Sequence, residues 1–242
     1  MAVANLAPND RYAFVGKTGS GKTQQAIVLA SYFAQRLHSP WEIWWLDTKN
    51  DEDDLRQLRH WGFCNGAKNS SGQAPDTLRP GGLRNALYFR IDETNGISTV
   101  DQAQAKMDEA YQRGHVIVVV DEYTQVVPSD RTAGYALRNI FARGRGKNIG
   151  LIGLTQEPVY VPRMLLSQAT HLVLFSVTHA ADIKYLKNLC PTYVPPIRQG
   201  DKHGFYWSDQ DGAATWAYYT NQKEWADSLE FALPREPKPS HA

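Results

Sequence analysis

Short apolar runs alternate along most of the chain with longer segments of mixed character. The runs are rich in Val, Ile, Phe and Trp, which is typical of buried strands, and they cover residues 11–15, 41–47, 86–91, 115–120, 149–155 and 171–177. The segments between them carry apolar residues at helical spacing and predict helices over residues 24–37, 51–61, 98–113, 131–145, 163–168 and 180–189. This alternation predicts an α/β fold.

A mainly parallel central sheet follows from that alternation, because each parallel neighbour needs a crossover and helices usually supply it. Ligands of such sheets bind beyond the carboxyl ends of the strands. The informative residues are therefore those that follow the predicted strands: Gly16 onward, Asp47, Asp121 with Glu122, and Thr155 with Gln156.

The composition divides the chain into a core and its flanks. We expect a loosely held arm over residues 1–10, a core over 11–200, and a polar, Pro-rich, disordered tail over 234–242. Residues 201–233 predict a C-terminal β-hairpin that turns at Asp211-Gly212, followed by a short helix over 224–233. Residues 62–80, which are rich in Gly, Ser, Asn and Pro, predict a long surface loop.

Bulk composition excludes several classes of protein. The chain has 242 residues, 42% of them hydrophobic and 21% charged, as in soluble globular proteins. A net charge of +1 gives no global signal for nucleic acid, so a DNA-binding surface would be local or formed by oligomerisation. Cys64 and Cys190 form no metal pattern and suit a reducing cytosol, and no apolar run approaches membrane-spanning length.

Residues 16–23 match the phosphate-loop pattern G-x-x-x-x-G-K-[ST] at every position. Backbone N–H groups must approach the phosphates closely, and glycine permits this. Lys22 is expected to reach the β- and γ-phosphates of ATP, and Thr23 to ligand Mg²⁺ at the start of a helix. The predicted ATP-binding residues are Gly16, Lys17, Thr18, Gly19, Ser20, Gly21, Lys22, Thr23 and Gln24.

A second motif is the apolar run 116–120, which ends in Asp121 and Glu122. We expect Asp121 to hold the Mg²⁺ shell through water or Thr23, and Glu122 to orient and deprotonate the water that attacks the γ-phosphate. Adjacent residues at a strand end face opposite sides of the pleat, so the two carboxylates can serve the metal and the water separately. The alternative is a strand that stops at two solvated acids.

A third constellation is a basic run, an aliphatic strand and Thr155-Gln156-Glu157-Pro158, and it includes Arg143, Arg145 and Lys147. Together with the phosphate loop, Asp121-Glu122 and Leu46-Asp47-Thr48-Lys49, it resembles the FtsK/HerA superfamily of ring-forming, DNA-pumping ATPases. The resemblance covers about residues 12–189. Glu157 departs from the family, which has a basic residue between Gln and Pro.

The resemblance implies a three-layer P-loop NTPase fold of the RecA/ASCE type, in which the strand ending in Gln156 lies between the phosphate-loop strand and the Asp121 strand. Gln156 would then bind the γ-phosphate or the attacking water. One of Arg143 and Arg145 would be an arginine finger supplied in trans. Arg131, Arg138 and Arg145 recur every seven residues and would form a basic stripe on a continuous helix, with a solvated helix face as the alternative.

Within the superfamily, the chain carries no membrane helices, winged helix or β-barrel around this core, and in this it resembles the genome-packaging ATPases of tailless, internal-membrane viruses and bacteriophages. That resemblance implies a hexameric or pentameric homo-oligomeric ring, double-stranded DNA and capsid vertex or portal proteins as partners, and peripheral contact with a viral membrane. It also implies ATP and Mg²⁺ as cofactors, and a location in the host cytoplasm and the virion.

Two other classes of function are compatible with the phosphate loop. A nucleotide or small-molecule kinase would need an acceptor pocket and lid arginines, and its phosphorylated product would distinguish it. An ATP-gated assembly or extrusion factor that does not pump DNA would form a stable ring whose slow hydrolysis DNA does not change.

Overall fold

The computed structural model describes residues 3–66, 83, 85–92, 97–127, 134–194, 204–208, 214–217 and 229–231. The strands are β1 Val3–Leu6, β2 Arg11–Val15, β3 Glu42–Asp47, β4 Cys64–Asn65, β5 Ala86–Arg90, β6 Val116–Val120, β7 Ile149–Thr155, β8 His171–Leu174, β9 Phe205–Ser208, β10 Ala214–Ala217 and β11 Leu229–Phe231. The α-helices are α1 Lys22–Arg36, α2 Glu52–His60, α3 Thr99–Arg113, α4 Tyr123–Val126, α5 Tyr135–Arg143, α6 Arg163–Ser167 and α7 Ala180–Leu189.

A nine-stranded sheet forms the centre of the described part of the chain, in the order β10-β9-β8-β2-β7-β6-β3-β5-β4. The strands from β8 to β4 are parallel, and β9 and β10 add an antiparallel hairpin beside β8. The predicted mainly parallel sheet and C-terminal hairpin are therefore confirmed. Strand β7 lies between β2 and β6, as the family resemblance implied, so the carboxyl ends of these three strands adjoin.

Helices cover both faces of this sheet and create three layers. Alternate residues of each central strand enter opposite cores, as Trp45 and Trp44 of β3 do. One core contains α1 and the apolar side of α2, and the other contains residues of α3, α5, α6 and α7. Because the central strands are buried on both faces, they are continuous apolar runs in the sequence.

The ends of the described chain differ from the predictions. Strand β1 pairs in parallel with β11, with Val3 opposite Leu229 and Leu6 opposite Phe231. Leu6 is fully buried, so residues 3–6 are a paired strand and not a loose arm. Residues 229–231 are likewise a strand where a helix was predicted. The rest of 224–233, the Asp211-Gly212 turn and the tail 234–242 lie outside the described residues.

The segment predicted as a long loop, residues 62–80, contains a short strand near its start. Residues Cys64–Asn65 form the edge strand β4, which pairs in parallel with β5. Residues 67–80, the remainder of the predicted loop, lie outside the described residues.

The helix predicted over residues 131 to about 145 is shorter than expected, and Gly144, which was predicted to mark its end, does so. Helix α5 ends at Arg143, and Gly144–Lys147 form a 3₁₀ helix that leads into β7. Gly144 and Gly146 disfavour further α-helix, and Asn148 adopts a left-handed conformation with φ of 57° at the turn. Arg145 therefore does not continue the α-helical face of Arg138, so the prediction of a basic stripe on one continuous helix was wrong. Arg131 lies outside the described residues.

None of the helices in the described ranges combines the length and the apolar character that a bilayer crossing requires.

Candidate nucleotide-binding site

The phosphate loop connects β2 to α1 and is anchored to the end of β7 and to the segment that follows β8. The Gly16 N–H donates to Thr155 O at 3.1 Å, and the Lys17 N–H donates to Ser176 O at 2.8 Å. A Cβ atom at position 16 would lie 2.5 Å from Phe175 Cβ, so only glycine fits there. Gly21 has φ of 96°, which favours glycine where the loop turns into the helix.

Several amides of the loop are free to bind an anion. In the described structure, no backbone carbonyl accepts a hydrogen bond from the N–H of Thr18, Gly19 or Gly21. Helix α1 begins at Lys22 with no acidic residue in its first turn, so its positive dipole end is not neutralised there. This arrangement suits a phosphate group.

A cleft of about 280 Å³ opens beside this loop. One wall is the loop and the start of α1, and the other is the segment that follows β3 together with α2. The lining residues are Thr18, Gly19, Gly21, Lys22, Thr23, Gln24, Lys49, Asp51, Asp54, Gln57 and Gln156. Of the predicted nucleotide-binding residues, Gly16, Lys17 and Ser20 belong to the loop but are not among the lining residues.

Lys22 is the buried cation of the cleft. Its Nζ donates to Lys17 O at 3.0 Å, and no carboxylate of the described residues forms an ion pair with it. Burial, and next the positive charge of Lys49, lower the pKa of Lys22 to about 8. An anionic ligand beside Lys22 would raise the pKa of Lys22 again, because a nearby negative charge favours the charged ammonium.

Asp121 follows β6 and is fully buried. Its Oδ1 accepts a hydrogen bond from Thr23 Oγ1 at 3.4 Å and forms an ion pair with Lys49 Nζ at 2.9 Å. Burial raises the pKa of Asp121, and the charge of Lys49 opposes that rise. Its Oδ2 has no hydrogen-bond partner in the described part of the chain. A buried carboxylate oxygen without a partner, beside a threonine hydroxyl, fits the hard oxygen ligands that Mg²⁺ requires.

Glu122 is 5% exposed and directly precedes α4. Its Oε1 accepts a hydrogen bond from Thr124 Oγ1 at 2.9 Å, and its Oε2 has no partner among the described residues. Since Asp121 is 0% exposed, both acids are buried, and the alternative of a strand ending in two solvated acids is wrong. Glu122 is not among the residues that line the cleft.

Gln156 joins the end of β7 to the phosphate loop. Its Oε1 accepts a hydrogen bond from Thr18 Oγ1, and its side chain lines the cleft. The family resemblance implied that β7 and β2 are neighbours and that Gln156 therefore lies near the phosphate loop, and the two strands are neighbours.

Asp47 supports the site without lining it. Its Oδ1 accepts a hydrogen bond from the Asn50 N–H at 3.0 Å, which closes the turn that carries Lys49. Burial raises the pKa of Asp47 to about 6. The residues Asp51, Asp54 and Gln57 were missed as site residues, although the predicted position of α2 directly after the β3 edge was a signal that this helix borders the ligand.

The two candidate arginine fingers do not line the cleft of their own chain. Arg145 contacts Asp10, with 3.4 Å between Arg145 Nη2 and Asp10 Oδ1. Arg143 is exposed at the carboxyl end of α5, where it forms no hydrogen bond or ion pair with the rest of the described chain. The structure therefore does not bring either guanidinium together with Lys22 and Asp121.

Comparisons with known proteins bear on the fold. Neither a protein-family model nor a curated protein matches the chain. Among solved structures, it is similar to the genome packaging NTPase B204 of Sulfolobus turreted icosahedral virus 2 in complex with ATPγS, at 16% identity and a TM-score of 0.61 over 88% of this chain and 98% of that one.

Two further solved structures are similar to the chain. The DNA-packaging ATPase B204 of Sulfolobus turreted icosahedral virus matches at 16% identity and a TM-score of 0.60, over 89% of this chain and 100% of that one. ATPases 2 and 3 of EssC from Geobacillus thermodenitrificans match at 13% identity and a TM-score of 0.56, over 90% of this chain and 42% of that one. With its phosphate loop, its strand order and these similarities, the chain has the P-loop NTPase fold of the B204 and EssC structures.

Proposed function

We propose that this protein is an ATPase that pumps double-stranded DNA into a preformed viral capsid. The observation that carries the proposal is the meeting of Lys22, Thr23, Asp121 and Gln156 at one sheet edge, with the buried Glu122 next to Asp121 in the sequence. The similarity to B204, a genome packaging NTPase solved with ATPγS and with AMP, supports both the ligand and the process.

The residues divide the chemistry of hydrolysis among them. The loop amides and Lys22 bind the β- and γ-phosphates, and Thr23 and Asp121 are placed to hold Mg²⁺. Bound Mg²⁺ neutralises charge on the phosphate oxygens. The free Oε2 of Glu122 accepts the proton of the water whose oxygen attacks the γ-phosphorus, while the bond to the bridging β-phosphate oxygen breaks. Gln156 orients that water or the γ-phosphate.

An arginine of a neighbouring copy completes the pocket in this proposal. Arg143 is the better candidate, because Arg145 contacts Asp10 of its own chain whereas Arg143 has no such partner in the described structure. A requirement for a neighbouring copy fits a homo-oligomeric ring, either a hexamer or a pentamer, which surrounds the DNA. The ring would sit at a capsid vertex or portal beside a viral membrane, in the host cytoplasm during assembly and in the virion afterwards.

The test is the rate of phosphate release from ATP with and without double-stranded DNA. We expect DNA to stimulate the wild type and increasing salt to weaken that stimulation, because the grip is on the phosphate backbone. Glu122→Gln should bind ATP but lose roughly a hundredfold or more in rate. The matched control is Glu109→Gln, an exposed site on α3. Turnover that ignores DNA would contradict a DNA pump, and transfer of the γ-phosphate to an acceptor other than water would indicate a kinase.

A further inference from the structure

We infer that Lys49 is a second phosphate-binding residue of the cleft, whose ammonium group contacts the terminal phosphate of ATP while Asp121 holds it in place. The inference rests on the proposed function, since it assigns a binding role within the same nucleotide site. It concerns a residue on the wall opposite the phosphate loop.

The position of Lys49 follows from the sheet order. Strands β3 and β6 are neighbours, and Lys49 lies two residues beyond the end of β3 while Asp121 directly follows β6. Their side chains meet across the strand ends at 2.9 Å. The hydrogen bond from the Asn50 N–H to Asp47 Oδ1 closes the turn that carries Lys49. This bond fixes the backbone from which the Lys49 side chain extends.

Lys49 has more hydrogen-bonding capacity than Asp121 uses. An ammonium group has three N–H donors, and in the described chain the one acceptor of Lys49 Nζ is Asp121 Oδ1. The Lys49 side chain is 21% exposed and lines the cleft, whereas Asp121 is 0% exposed. The ion pair therefore has a buried acid and a cation at the cleft wall, with donors left for a ligand.

Charge in the cleft also favours an anion between its walls. Lys22 and Lys49 both line it, and the lining acids Asp51 and Asp54 form no ion pair with either lysine in the described structure, although the charge of Asp54 acts on both. The two ammonium groups are close enough that the charge of Lys49 lowers the pKa of Lys22. Two like charges in one cleft are stabilised when a polyphosphate lies between them.

The experiment compares the affinities of ATPγS and ADP, because only the former carries a γ-phosphate. Removing a hydrogen bond to a charged group should reduce the preference for ATPγS roughly tenfold to a hundredfold. We expect Lys49→Met to show this loss with Mg²⁺ and to keep its affinity for ADP within a few-fold. Lys106→Met is the control, since that lysine also forms an ion pair, with Glu109, but does not line the cleft.

A second pair of variants separates phosphate binding from support of Asp121. Lys49→Met alone leaves a buried carboxylate unpaired and can destabilise the fold. Asp121→Asn and the double variant Lys49→Met/Asp121→Asn avoid this, because neither contains the buried carboxylate; the ammonium that Asp121→Asn leaves without its ion-pair partner is 21% exposed at the cleft wall. Measured in EDTA, where no metal contributes, the double variant should again prefer ATPγS about tenfold less than Asp121→Asn does.

An unchanged preference in that pair would overturn the inference while leaving the proposed function intact. Wild-type protein that binds neither nucleotide would overturn both.

Discussion

The hydroxyl of Thr18 in the phosphate loop donates a hydrogen bond to Oε1 of Gln156 at the end of β7. The two residues are 138 positions apart in the sequence. They meet because β2 and β7 are adjacent parallel strands that end together, with Val15 opposite Thr155. The phosphate loop is thus linked to a neighbouring strand through this side-chain hydrogen bond as well as through the sheet.

Replacing Gln156 by Ala should separate binding from hydrolysis. The affinity for ATPγS should change only a few-fold, because Lys22 and the loop amides remain. The hydrolysis rate should fall roughly tenfold to a hundredfold, since one hydrogen bond to a charged group is lost. Gln168→Ala, at an exposed glutamine after α6, is the control, and both rates come from phosphate release. If Gln156→Ala hydrolyses ATP like the wild type, then Gln156 has no role at the γ-phosphate.

Mixing variants distinguishes the two arginines. If Arg143 acts in trans, Arg143→Ala should reduce the hydrolysis rate about a thousandfold, because an arginine finger contributes at least that much to the rate. Adding Lys22→Ala subunits, which cannot use ATP but keep Arg143, should restore part of the activity. Arg145→Ala should retain most activity and lose instead the contact with Asp10. The opposite ranking would assign the finger to Arg145, and activity of Arg143→Ala without added subunits would exclude a role for Arg143.

The low pKa of Lys22 predicts pH-dependent nucleotide binding. Its pKa is lowered from 10.5 to about 8, so the free protein loses this charge as the pH rises through about 8. Because the charged form binds phosphate, the affinity for ADP should be highest below pH 8 and should fall toward pH 10. A bound phosphate raises the pKa again, so binding near pH 9 should take up a proton.

Calorimetry in buffers of different ionisation enthalpy measures that proton. Lys49 does not cause this effect: burial alone would lower the pKa of Lys49, but the nearby acids, Asp121 foremost, more than offset this and raise it. Lys22→Arg stays charged throughout and should show no such fall, whatever its absolute affinity. An affinity of the wild type that is constant from pH 7 to pH 10 would refute the prediction.

Asp47 should make the folded protein less stable at neutral pH than at mildly acidic pH. Its pKa is raised from 3.8 to about 6, so between these values the folded state holds a proton that the unfolded state has released. The penalty is complete above about pH 6 and vanishes as the pH falls toward 4. Asp47→Asn should therefore raise the free energy of unfolding at pH 7 by about 1–3 kcal/mol and leave it unchanged near pH 4.

Urea unfolding of the variant and the wild type at both pH values checks this. The amide retains an oxygen that can accept the Asn50 N–H, so the turn is preserved. Asp53→Asn, at an exposed residue of α2, should have little effect at either pH. Destabilisation by Asp47→Asn at pH 7 would show that the charge of Asp47 is needed.

The sequence allowed most of the central sheet to be predicted, since strands such as β6 are buried on both faces and stand out as apolar runs. The phosphate loop and the two acids after β6 could also be recognised in the sequence, because nucleotide chemistry requires particular residue types at fixed short spacing. The order of β2, β7 and β6 in the sheet came from the family resemblance, because the spacing of apolar residues does not determine which strands are neighbours.

What could not be predicted depends on contacts between distant segments. The partnership of Lys49 with Asp121 needs β3 and β6 to be neighbours, and neither residue indicates this by itself. The cleft positions of Asp54 and Gln57 depend on how α2 packs after β3. The arginine stripe was wrong because its seven-residue spacing assumed one continuous helix through Arg145, whereas α5 ends before Gly144.

The pairing of β1 with β11 has a consequence for how the molecule assembles. Residues 3–6 and 229–231 are separated by nearly the whole polypeptide, so bringing them together closes a very large loop at a high entropic cost. The central sheet must already be in place to offset that cost, and we expect this small ladder to form late. Its backbone amides should accordingly exchange with deuterium sooner than those of β6 and β7.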